Sequence, residues 1–91
     1  MAEAIEKDFV IENESGLHAR PAAMFVKLAN SFESEVWVEK DDEQVNGKSI
    51  MGLMMLAAGP GSTISISVEG EDAKDAMCAI DKLISSGFED S

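Results

Sequence analysis

Apolar positions recur along the chain with two different spacings, and the switches between them mark out its elements. Phe9-Val10-Ile11 is a short apolar run closed by Glu12-Asn13-Glu14-Ser15-Gly16, which reads as a strand followed by a loop. From Pro21 onward Ala22, Phe25, Val26, Ala29 and Phe32 fall at helical spacing, and Pro21 suits a first turn, where its missing N–H is not needed. Glu35 to Glu39 alternates. After a turn at Asp41-Asp42, a shorter segment through Gln44-Val45 reaches the turn dipeptide Asn46-Gly47, so two antiparallel strands are expected. Ser49 precedes Ile50, Leu53, Met54 and Ala57, spaced as one face of a short helix that Ser49 can cap, and Ala58-Gly59-Pro60-Gly61 breaks it. In Thr63 to Val68, Ile64, Ile66 and Val68 point one way and small polar residues the other, which predicts a sheet with one wet face. A last helix beginning near Asp72, with Asp75 in a capping-box-like position, buries Ala73, Ala76, Met77, Ile80 and Ile84. The order β-α-β-β-α-β-α predicts an α+β fold, with three helices on one face of a four-stranded sheet.

A length of 91 residues, 45% of them hydrophobic, fits a single domain spanning 1–91. Its one cysteine, Cys78, excludes an internal disulfide, and lying about 140° off the buried stripe of the last helix it is expected to be a partly exposed, inert thiol. Acids at the N-terminus stand where a signal peptide carries bases, and no stretch is long enough to span a membrane, so a cytoplasmic protein is expected. Eighteen acids against seven bases give a formal charge of −11, which excludes nucleic acid and anionic membrane surfaces as partners. Asp41-Asp42-Glu43 lacks the spacing and the glycine of a calcium loop, and neither a metal nor a cofactor is expected.

Against this acidic background one short segment changes the picture. The only histidine, His18, and the only arginine, Arg20, sit two residues apart in Gly16-Leu17-His18-Ala19-Arg20-Pro21-Ala22, at the expected start of the first helix. Free N–H groups and the positive end of the dipole meet an anion there, and Arg20 adds a permanently charged fork. Ser15, Ala19 and Pro21 complete the candidate phosphate position. The same positive surroundings disfavour imidazolium, so His18 is expected to be neutral and nucleophilic, and to become stabilised once it carries an anionic phosphoryl group. No second histidine, P-loop lysine or tyrosine accompanies it, which points to a group carrier rather than an enzyme.

The segment closely resembles the active-site signature of HPr, the histidine-containing phosphocarrier family of the phosphoenolpyruvate-dependent sugar phosphotransferase system. Asn46-Gly47-Lys48-Ser49-Ile50-Met51-Gly52-Leu53-Met54 is similar to that family's regulatory-serine segment. The resemblance implies an open-faced β-sandwich with an antiparallel sheet, and a monomer. It implies that His18 takes phosphate on Nδ1 from enzyme I, with Arg20 as companion, and passes it to IIA domains of sugar permeases. It further implies Ser49 as the target of an HPr kinase/phosphorylase, with a transcriptional regulator as partner, and Ala23, Lys27, Ile50, Met51 and Met54 as docking residues. Two competing readings are a regulator, or nitrogen-branch relative, acting mainly by docking, and a small phosphohydrolase using Arg20. Met55 and Ala57-Ala58 depart from the family pattern, where a small polar residue and a glycine-containing pair are usual.

Overall fold

The computed structural model describes residues 3–90, so Met1, Ala2 and Ser91 of the expected 1–91 domain lie outside the described residues. Eight elements follow in order: β1 (Glu3–Val10), α1 (Ala19–Asn30), β2 (Glu35–Lys40), β3 (Glu43–Asn46), α2 (Ile50–Met55), β4 (Thr63–Gly70), α3 (Ala73–Ser85) and the short α4 (Gly87–Asp90).

Alternation makes β4 the centre of the sheet. Its Ile64, Ile66 and Val68 are at most 1% exposed, each contributing roughly 1.5–3 kcal/mol by burial, while Ser65 and Ser67 turn to the open face. The strand order is β1-β4-β2-β3, antiparallel throughout. Register places Val36 opposite Val68 and Val38 opposite Ile66, so β2 adds its two buried valines to the same layer. The β2–β3 hairpin closes at Asp41 and Asp42, whose φ angles of 52° and 69° are the paired left-handed values of a tight hairpin turn. Ala22, Phe25, Val26 and Ala29 of α1, and Ala73, Ala76, Met77, Ile80 and Ile84 of α3, are buried at the positions their spacing predicts, and Cys78 is exposed. With Leu53 of α2 they cover one face of the sheet, giving the four-stranded open-faced α+β architecture.

Four details depart from the sequence reading or go beyond it. First, β1 begins at Glu3 and ends before Ile11. Only Phe9 of that strand is buried, so a backbone ladder to β4, from Glu3 opposite Gly70 to Val10 opposite Thr63, forms the strand without an alternating signal. Second, Asp72 occupies the N-cap of α3 but makes no capping bond. Its carboxylate instead accepts from Glu33 N (2.9 Å), Ser34 N (3.0 Å) and Ser34 Oγ, tying α3 to the loop before β2. The Ser34 hydroxyl, then the Glu33 amide, hold its acidity stronger than an ordinary aspartate. Gly70 lies against Ser34 with φ 155°, leaving no room there for a Cβ. Third, of the α2 face spaced as Ile50, Leu53, Met54 and Ala57 only Leu53 is buried, followed by Leu56, while Ile50, Met54 and Ala57 are exposed. Fourth, α4 opens on Gly87 (φ 66°) directly after α3 and seats Phe88 in the core at 0% exposure.

Candidate functional site

Gly16 sets the approach to the site. Its φ is 61°, and a Cβ on it would lie 2.8 Å from Gly59 Cα and closer still to Ala58 O, so only glycine permits this contact between the β1–α1 loop and the α2–β4 loop. Leu17, 4% exposed, then donates from its N–H to Ala58 O at 2.9 Å. Asn13 fastens the other side. Its amide Nδ2 donates to Gly16 O at 2.9 Å and, more weakly, to Ser15 Oγ at 3.3 Å. The side chain is buried and its Oδ1 has no partner among the described residues. Sequence reasoning missed Asn13, although an Asn at the start of a turn ending in Gly is an Asx-turn signal.

This fixed loop delivers His18 to the N-cap of α1 in extended geometry (φ −77°, ψ −171°). Its carbonyl accepts the first helical bond from Ala22 N at 2.9 Å, while its exposed ring makes no capping bond. The backbone N–H groups of Ala19 and Arg20 face the helix entrance without intrahelical acceptors, and Pro21, buried in the third helical position, has none to offer. No acid occupies the first turn. Arg20 is exposed and enters no ion pair among the described residues, where the pairs are Lys7 with Asp81 and Lys40 with Asp41. The positive pole of α1 is thus uncompensated beside an accessible imidazole. A cleft of about 250 Å³ adjoins the ring, lined by Leu17, His18, Met54, Ala57, Ala58 and Gly59. Ala57, left-handed at φ 53°, is the strained member of that lining.

Ser49, half-buried, caps α2 as its position predicts: Oγ accepts from Gly52 N at 3.0 Å. Beyond the cap, Ile50, Met51, Met54 and Met55 are 42%, 73%, 43% and 66% exposed and line one apolar hollow of about 600 Å³. Met54 lines both this hollow and the His18 cleft, so the two adjoin at its side chain. Ala23 and Lys27 are exposed on α1. Lys27, about 13 Å along the helix from His18, lines a separate groove with Met24, Leu28, Ser31 and Leu83.

Residues 5–86 match the family model described as PTS HPr component phosphorylation site. The chain is 54% identical over 76 residues to the HPr-like protein Crh of Halalkalibacterium halodurans, covering 84% of this chain and 90% of that one. To the phosphocarrier protein HPr of Neisseria meningitidis it is 49% identical over 84 residues, covering 92% and 94%. HPr from Thermoanaerobacter tengcongensis superposes in two crystal structures. One has TM-score 0.92 and 47% identity, covering 96% of this chain and 98% of that one. The other, of an HPr dimer, has TM-score 0.75 and 50% identity, covering 88% and 92%.

Proposed function

The chain belongs to the PTS HPr family, and from that premise we propose that it is a phosphocarrier in which His18 accepts a phosphoryl group on Nδ1 from enzyme I and yields it to IIA domains of sugar permeases. The observation that carries this reading is the exposed, uncapping ring of His18 at a helix N-cap, beside an arginine that no carboxylate neutralises among the described residues. In the transfer, the Nδ1 lone pair attacks the phosphorus held on enzyme I, the N–P bond forms as the bond to the donor breaks, and the dianion finds Arg20 and the helix entrance. Ser15, Ala19 and Pro21 frame that position. Attack by the next acceptor comes from the solvent side, which the exposure of His18 leaves open. No cofactor takes part. The hollow of Ile50, Met51, Met54 and Met55, with Ala23 and Lys27, is the docking surface; thioether side chains suit one face to several partners. We place the carrier in the cytoplasm, acting as a monomer; among the described residues no helix is long and apolar enough to cross a membrane.

Incubation with phosphoenolpyruvate, magnesium and enzyme I tests the reading: acid-labile, base-stable phosphate on His18, removable by a IIA domain, is expected. His18→Ala is expected to take none, and wild-type transfer by that variant overturns the assignment. Steady release of inorganic phosphate by the protein alone indicates a hydrolase instead. Arg20→Ala is expected to transfer roughly ten- to a hundredfold more slowly, the worth of one charge-assisted hydrogen bond to the phosphoryl group, with unchanged stability.

A second reading, regulation by docking, has Ser49 as its focus, because this half-buried hydroxyl sits at the start of the helix that presents the apolar face. An HPr kinase/phosphorylase would place a phosphate there, blocking enzyme I and recruiting a transcriptional regulator.

A further inference from the structure

Met51, Met54 and Met55 follow one another at i, i+3 and i+4 on α2, so their side chains share a face, and all three line the hollow that adjoins the His18 cleft. Their exposures of 73%, 43% and 66% contrast with 6% for Met77 in the core. We propose that these three thioethers form a modification site for two-electron oxygen-transfer oxidants such as hypochlorous acid or peroxides, and that their oxidation reversibly switches docking off. The inference rests on the docking role given to this face above.

The chemistry is local. With hypochlorous acid the sulfur gains an S–O bond as the O–Cl bond breaks; sulfur loses two electrons, chlorine gains them, and chloride and a proton leave. Each sulfoxide replaces a soft apolar thioether by a strong hydrogen-bond acceptor. On a free surface, water satisfies that acceptor. Beneath a docked partner it is stripped of water and faces apolar atoms, so association weakens while the fold is untouched. Met54 carries the effect furthest, because its sulfoxide also borders the cleft beside His18.

The test treats wild type and Cys78→Ser, which removes the exposed competing thiol, with limiting hypochlorous acid. Peptide mass spectrometry is expected to find additions of about 16 Da on Met51, Met54 and Met55 before Met77. Phosphoryl transfer from enzyme I is expected to fall about tenfold or more, and methionine sulfoxide reductases of both epimer specificities, with dithiothreitol, restore it. In M51L/M54L/M55L, whatever its own starting rate, the ratio of treated to untreated transfer is expected to stay near one. Fully oxidised protein that transfers as fast as untreated protein overturns the proposal, as does oxidation of Met77 first, or a loss the reductases do not reverse. Untreated protein that takes no phosphoryl group from enzyme I overturns the docking reading and this proposal with it; normal transfer before and after oxidation overturns this proposal alone.

Discussion

Two small residues near His18, Gly16 in the loop before it and Ala57 in the lining of its cleft, carry left-handed backbone, and substitution at each has the opposite consequence. At Gly16 the loop-to-loop contact leaves no space for a methyl group, so Gly16→Ala adds backbone strain to a collision and is expected to cost roughly 2 kcal/mol or more, read from urea denaturation. At Ala57 (φ 53°), just past the end of α2, the native methyl group is itself the burden. Ala57→Gly is therefore expected to stabilise the protein by about 1 kcal/mol, and an unchanged or lower urea midpoint would refute that. The sequence marks Ala57-Ala58 as a departure from the family but does not reveal its sign, since strain is a property of backbone angles. His18 and Arg20 were legible because a lone histidine and a lone arginine beside a helix start are chemically unusual in so acidic a chain. Asn13 was not, because its partners are a carbonyl and a hydroxyl brought close only by the folded loop.

Among the elements, α2 has the most to distinguish, since its first residue is prepared by a serine that has both a structural and a proposed regulatory role. Ser49→Ala removes the bond to Gly52 N and is expected to lower stability by about 1 kcal/mol with little effect on transfer. Ser49→Asp keeps an acceptor at the cap and so keeps stability, but brings negative charge to the docking face and is expected to slow transfer from enzyme I. Equal melting temperatures and equal rates in both variants would remove both roles. Periodicity found α1, α3 and β4 because each runs long enough for one face to stand out. It also found the short α2 with its Ser49 cap, but not how little of it is buried, because Ile50, Met51, Leu53, Met54 and Met55 make the helix apolar nearly all round and leave no polar face to mark the exposed side. The polar edge strand β1 and the single turn of α4 offered no period to read.

Across the whole molecule, the Asp72 carboxylate and the Ser34 loop join the end of the sheet to the first turn of α3. Hydrogen bonds from Ser34 and Glu33 lower the Asp72 pKa below the ordinary 3.8, and Lys7, then Ser85, lower that of Asp81. Depressed acids contribute stability that is complete above their unfolded value and is lost as pH falls through the folded one. Asp72→Asn is thus expected to lower stability at neutral pH and to flatten its decline below about pH 4, measured by urea titrations across the acid range. A decline as steep as wild type would show that this carboxylate is not linked to folding. The strand order has a temporal consequence as well. Since β4 lies between β1 and β2, a nascent chain leaving the ribosome carries Glu3–Val10 without its sheet partner until Thr63–Gly70 emerges, whereas the β2–β3 hairpin needs no later segment, so ribosome-stalled shorter chains expose their first strand to chaperones.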